Sequence, residues 1–512
     1  MVIGQKYTPI AALLAVSLSL STALVNRAQA QPLKPLPSTA KPSLSAKQAM
    51  DGLYTNDLDA AADLQEGLQA YYRQDFDQAQ RFLISAIQHD PTSGMAYYLL
   101  GNIYLQRGYP GDAIAAYQSA VSLEPRLTAA YYNLGLAQLR QGNLNAAANQ
   151  FERVTFLEPE LPAGHYNLAL ALDNLGQDEA ASLIYREVIR LDPEFSRAYY
   201  NLGLIVNDAG APDEALVLFN EATQIDPEFA AAHYQAGLIY AQRGEWDLAI
   251  DSLGIAATLE PDNAQAQYNL GVAYAEIGNH KAATNRFELA LNLDPDNVIA
   301  YQQVGASQIE QGNARQAIES LETAVRLLPN DPRTHYNLGI AYQDTEQYPE
   351  AIAAYRRAIE LDPTFADAYY NLGVSLFTNA ENQAQETRPD EDDLVAVQAY
   401  NARNFTRYGT AIETLQEAID LYNTAGDFGK ADEVETYIET TIEPALPVPA
   451  APANLNEGNN GTDIPITPLE AEDDREPFPI LETPVEPEPQ LPAFPEAEQD
   501  PAEFPIYDSP FQ

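Results

Sequence analysis

Ser196–Phe229, SRAYYNLGLIVNDAGAPDEALVLFNEATQIDPEF, is the stretch whose reading decides the fold. It closes on Asp226-Pro227, and proline ends a helix because it lacks an N–H and crowds the preceding turn. The same proline returns as Pro91, Pro125, Pro159, Pro193, Pro227, Pro261, Pro295, Pro329 and Pro363, each 34 residues after the last. Eight of the nine follow an acidic residue; Pro329 follows Leu328. A register held that many times without a slip is a repeated structural unit, so the chain is read as an array rather than as several compact domains.

Working outward from the proline, a small residue stands 24 places before it: Gly67, Gly101, Gly135, Ala169, Gly203, Gly237, Gly271, Gly305 and Gly339, with Gly373 continuing the series. Alanine stands 12 before it, from Ala79 to Ala351, and a third column is Ala86, Ala120, Ala222, Ala256, Ala290, Ala324 and Ala358, with Val154 and Val188 in two units. Large residues alternate with these in Leu134, Leu202, Leu270 and Leu338 and in Tyr117, Phe151, Tyr185, Phe219, Phe287 and Tyr355. Small and large columns on one stripe describe two helices packed closely against each other. Gln141-Gly142-Asn143, Ile277-Gly278-Asn279 and Gln311-Gly312-Asn313 supply the turn between them.

The period and its Gly, Ala, Ala, Pro signature closely resemble the tetratricopeptide repeat. The resemblance covers residues 60–425 as ten repeats, nine complete from 60–93 to 332–365. It implies an all-α fold, a right-handed α–α superhelix (a solenoid). The tenth repeat opens with Tyr369-Tyr370-Asn371-Leu372-Gly373 and resumes near Tyr408 with Ala411, Leu415 and Ala418 in second-helix places. An insertion at 378–406 interrupts it, readable as a projecting arm or as a lengthened turn at the end of the array. Residues 426–442 are expected to form a capping helix, which hides the last apolar face of an array. Residues 443–512 are rich in proline and acid, so a disordered tail is expected there, and 31–59 read as a Pro/Ser-rich linker and lead-in.

The remaining 1–30 read as a signal peptide: Lys6, an apolar run from Ile10 to Val25, then Ala28-Gln29-Ala30 as a small-x-small cleavage site. An uncleaved anchor is the alternative. Export to a periplasm, to the medium or, in a photosynthetic bacterium, to a thylakoid lumen suits this signal. Acidic residues outnumber basic ones 74 to 27, a formal net charge of -47. That balance repels phosphate backbones and anionic lipid, which argues against nucleic acid as a partner and leaves basic proteins as candidates. There is no cysteine, which excludes disulfide, zinc-thiolate and thiol-nucleophile chemistry.

Catalytic constellations are absent from the pattern: no phosphate loop and no His pair at metal-ligand spacing, so no enzyme, cofactor or metal is expected. His165, His233 and His335 fall where other repeats place Tyr131, Tyr199 and Tyr369 and read as packing variants. Binding of other proteins or peptides along the concave face is the expected function. Two first-helix columns are its candidates. One is amide-rich: Asn133, Asn167, Asn201, Gln235, Asn269, Gln303, Asn337 and Asn371. It is similar to the asparagine ladder of O-linked N-acetylglucosamine transferases, and one amide per repeat could pair with the peptide groups of an extended chain. The other is aromatic: Tyr132, Tyr166, Tyr200, Tyr234, Tyr268, Tyr336 and Tyr370. Both columns have a competing reading as packing within and between repeats.

Overall fold

The computed structural model describes residues 57–390 and 393–447. The segments expected as a signal peptide at 1–30, nearly all of the linker at 31–59 and the tail beyond 447 lie outside the described residues. Every regular element among the described residues is helical. First (A) helices begin at 58, 94, 128, 162, 196, 230, 264, 298, 332 and 366, and second (B) helices at 76, 110, 144, 178, 212, 246, 280, 314, 348 and 394. From the second repeat to the ninth, each A helix is 13 residues and each B helix 14, with the boundaries stepping by the sequence period.

The small column explains how closely the two helices of a repeat sit. A Cβ on Gly101 would lie 2.6 Å from Tyr117, one on Gly135 2.8 Å from Phe151, and one on Gly339 2.5 Å from Tyr355. These large B-helix side chains are themselves fully buried, so the ring occupies the space that the glycine leaves. The alanine columns do the same on the other side of the seam: Ala113, Ala147, Ala181 and Ala215 are completely enclosed.

Each A–B turn from the second repeat to the eighth carries a glycine at positive φ, from Gly108 to Gly312. Around Gly142 the turn is closed by Asn143 N–H to Gln138 C=O at 2.9 Å and Gly142 N–H to Leu139 C=O at 3.0 Å, which satisfies the last carbonyls of the helix. The first and ninth repeats put Gln74 and Glu346 in the same left-handed geometry, at φ 60° and 62°. A side chain there costs about 1 kcal/mol that glycine avoids. Glu346→Gly and Gln74→Gly are therefore each expected to raise stability by ~0.5–1 kcal/mol, after the entropy of the freer unfolded chain is subtracted. A chemical-denaturation midpoint that falls in either variant contradicts this account.

The insertion in the tenth repeat is helical on both sides. Its A helix, Ala366–Glu386, runs eight residues past the usual length of 13, and its B helix, Leu394–Ala425, reaches 32 residues. Phe377 stacks on Tyr408 at 5.3 Å, the Tyr408 hydroxyl donates to Glu381, and the Tyr400 hydroxyl donates to the Ala384 carbonyl at 3.1 Å. The extra residues thus lengthen the helical hairpin itself, and the turn occupies only the stretch between Glu386 and Leu394. Phe428–Tyr437 then folds over the end, continued by a wider turn, Ile438–Ile442, and a short one, Glu443–Ala445. Val434, Ile438 and Ile442 are buried against the tenth repeat, and Lys430 reaches Asp367 at 3.0 Å. These elements cover the end of the array, and the described residues run on to 447.

Candidate peptide-binding face

Both candidate columns lie on A helices, and the structure divides them along the array. Tyr132, Tyr166 and Tyr200 are enclosed. Each stacks on the large B-helix residue of its own repeat: Tyr132 on Phe151 at 6.0 Å, Tyr166 on Tyr185 at 5.9 Å and Tyr200 on Phe219 at 5.8 Å. The expectation that these three line a groove is therefore corrected, because packing against the B helix of their own repeat has consumed their surface. Tyr234, Tyr268, Tyr336 and Tyr370 are half-buried.

The amide column is sealed in the same region, and its donors are committed. Asn167 donates to the Tyr132 hydroxyl at 2.9 Å, Asn201 to that of Tyr166 at 3.2 Å, and Asn269 to that of Tyr234 at 2.8 Å. Gln235 bonds to Tyr200 in the same relation, and Asn133 donates to Asn102 at 2.9 Å. All five are buried, so the solvent-facing ladder expected at Asn133, Asn167, Asn201, Gln235 and Asn269 is instead an internal tie between successive repeats. The tie holds because a buried amide or phenol left without a partner costs about 1–3 kcal/mol. Asn371 repeats it with Tyr336 at 2.9 Å but is half-buried, and Gln303 and Asn337 are half-buried with no side-chain partner.

Burial sets the ionisation of the column. It pushes the Tyr132, Tyr166 and Tyr268 hydroxyls up to about 12, with the Asn167 and Asn201 bonds partly offsetting it at Tyr132 and Tyr166. Tyr200, Tyr234 and Tyr336 are raised by burial as well. A row of carboxylates stands at the last residue of the later A helices: Asp208, Glu276, Glu310 and Asp344, all exposed. Although these residues are exposed overall, partial loss of hydration at the carboxyl, and then Glu310, hold Asp344 above its ordinary value, and partial loss of hydration alone raises Glu276.

The three histidines in the aromatic column have a definite role that sequence reading left as packing. His165, His233 and His335 each place Nε2 on the carbonyl of the inter-repeat proline six residues earlier, at 2.8, 3.1 and 2.9 Å. The imidazole there satisfies a turn carbonyl, a role open to any side chain with a donor at that height; Gln267 does the same for Pro261 at 3.3 Å. Among the described residues one group has metal-ligand spacing: Asp57, Asp59 and His89, whose ligand atoms lie within 4.8 Å of one another on the exposed first repeat. Asp57 already caps its helix by accepting the Asp59 and Ala60 N–H groups, and His89 is 3.8 Å from Asp63. No helix among the described residues is long and apolar enough to cross a membrane.

Paired helices of fixed length, stacked in one register and closed by a capping helix, define a helical-repeat solenoid, a class whose work is to bind other proteins. Profiles described as TPR repeat match residues 101–142, 237–278, 305–346 and 344–379, and those described as tetratricopeptide repeat match 132–193, 178–230 and 264–297. The chain belongs to the tetratricopeptide-repeat proteins, and its array is a protein-interaction scaffold. No curated protein sequence matches it. Among solved structures it is similar to MamA, at 29% identity over 34% of this chain and 94% of that one, with a TM-score of 0.32. A tetratricopeptide-repeat protein from Parabacteroides merdae matches at 18% identity over 48% of this chain and 98% of its own, TM-score 0.35. YrrB, described as a TPR protein with an unusual peptide-binding site, matches at 21% over 36% and 96%, TM-score 0.33.

Proposed function

We propose that the chain is an exported, non-catalytic scaffold that binds polypeptides on the concave face of its later repeats. One observation carries this reading: the tyrosine column is sealed from repeat 3 to repeat 5 and half-open at Tyr234, Tyr268, Tyr336 and Tyr370, and the amide column, sealed as far as Asn269, is half-open at Gln303, Asn337 and Asn371. The open part presents phenol and amide groups, which pair with a peptide backbone without reading its side chains, beside a carboxylate row that favours basic partners. Export rests on the sequence of residues 1–30, and mass spectrometry of the mature protein should find its N-terminus at Gln31.

The test is capture of partners from the exported fraction by three baits: the full chain, a Gln303→Ala, Asn337→Ala, Asn371→Ala version, and a chain ending at 447. Loss of partners with the amide variant and their retention by the truncated chain is the expected result. The opposite pattern moves the site to the tail.

A second reading, a structural spacer in an envelope assembly that binds through its convex face, is favoured by exposed apolar residues on B helices. Leu183 and Val217 occupy the same place in adjacent repeats and are 69% and 59% exposed, and Phe156 on another B helix is 72% exposed. If both altered baits keep the full set of partners, this face carries the binding.

A further inference from the structure

The tyrosine–amide tie between repeats fails at two successive boundaries: Tyr268 makes no hydrogen bond to Gln303, 35 residues on, and Asn337 has no tyrosine to meet. Where other repeats carry the tyrosine, repeat 8 carries Gln302. In three repeats that tyrosine stacks on a phenylalanine 29 residues further on, as Tyr336 does on Phe365 at 4.7 Å. At the same spacing Gln302 meets Asp331, donating to it at 3.0 Å and to Thr334 Oγ1 at 2.5 Å. An amide–carboxylate pair has replaced a ring pair, and no hydroxyl extends to Asn337. Asn337 is left without a side-chain hydrogen bond, and so are Gln303 and the Tyr268 hydroxyl, one group from each of three consecutive repeats. All three are half-buried, so they are reachable from solvent but poorly hydrated.

The carboxylate row stands beside this gap. Glu310 and Asp344 each follow Gln303 and Asn337 by seven residues, close to two helical turns, and so lie on the same helical face. Neither has an ion pair of its own among the described residues, and the negative end of the helix dipole makes each a strained place for an anion. Arg333, one turn before Asn337, marks the opposite edge.

We propose that this gap is a subsite for an extended polypeptide segment bearing lysine or arginine, its peptide groups on Tyr268, Gln303 and Asn337 and its cations on Glu310 and Asp344. The proposal rests on the concave-face reading and sharpens it. Amides and a phenol each offer a donor and an acceptor, which is what a peptide group requires. Carboxylates that repel one another gain most from an incoming cation. Repeats with an intact tie have no such vacancy.

The probe is a fluorescein-labelled peptide of alternating lysine and alanine, titrated with the full chain by anisotropy, with a glutamate–alanine peptide beside it. The lysine peptide is expected to bind and the glutamate peptide not to. Gln302→Tyr supplies the missing hydroxyl to Asn337 and should weaken binding about tenfold or more while leaving the melting temperature equal or higher. A ring at that place beside a polar helix cap already occurs at Tyr268 and Asn297, so the variant is expected to fold. Glu310→Gln, at an exposed site, should weaken binding and flatten its salt dependence. Failure of the wild type to bind the lysine peptide, equal binding of the glutamate peptide, or wild-type affinity in Gln302→Tyr each overturns the proposal. Partners lost by the triple amide variant but kept by Gln302→Tyr would sink this subsite and leave the concave-face reading standing.

Discussion

Between pH 10 and pH 12 the array is expected to unfold cooperatively, its buried tyrosines ionising with the loss of helix rather than ahead of it. An unfolded tyrosine titrates near pH 10. Burial raises Tyr132 and Tyr166 to about 12 in the folded chain. A hydroxyl whose folded pKa is raised gives stability that is whole below about pH 10 and is lost as pH climbs through the folded value. At about 1.4 kcal/mol per unit, each of these two enclosed side chains surrenders about 2 kcal/mol by pH 12 and the remainder above it. Tyr117 and Tyr355, fully buried and raised for the same reason, add to the loss. The sum rivals the whole stability of an ordinary domain, about 5–15 kcal/mol. Phenolate absorbance and far-ultraviolet circular dichroism followed together across that range check it. Ionisation of these groups near pH 10 with the helices intact would mean that the column faces a groove after all.

That experiment bears on the part of the site that the sequence left open. The two-helix repeat was legible because every constraint on it is local to one period: the glycine, the ring above it and the proline all recur at fixed offsets. The sealing of the amide column was not. Asn167 pairs with Tyr132 and Asn371 with Tyr336, each 35 residues upstream, so the bond crosses a repeat boundary. Columns show what recurs but not which column of one repeat faces which column of the next. A peptide ladder and an internal tie need the same residues, asparagine and tyrosine, for the same hydrogen-bonding reason. Gln302 was visible as the odd member of its column, yet its meaning depends on Asp331 and on the three groups left unpaired around it. The insertion could be read as an arm or as a lengthened turn, and the burial of Ala380 and Ala384, which continue the helical face, was not legible in its polar opening.

Gly203→Leu is expected to cut the array in two. A Cβ at Gly203 would stand 2.7 Å from the Phe219 ring, and Phe219 is fully buried with no room to turn. Leucine adds further carbons to that clash, a cost of ~3 kcal/mol or more. Alanine should be milder, because repeat 4 already accommodates Ala169 beside the enclosed Tyr185. In a solenoid each repeat is stabilised mainly by its two neighbours, so damage at repeat 5 removes support from both directions. Segment-resolved hydrogen exchange should then find two blocks of unequal protection meeting near residue 203. Gly67→Leu, at the first repeat, should cost only the edge of the array, since its Cβ would meet Leu83 at 3.0 Å and no repeat precedes it among the described residues. The central variant also separates two accounts of binding. If the later block keeps its protection and still holds the lysine–alanine peptide, recognition belongs to the open face around Gln303 and Asn337 alone. If protection and binding vanish together, the sealed repeats are what hold the open ones in a binding geometry, and the internal tie is part of the recognition apparatus.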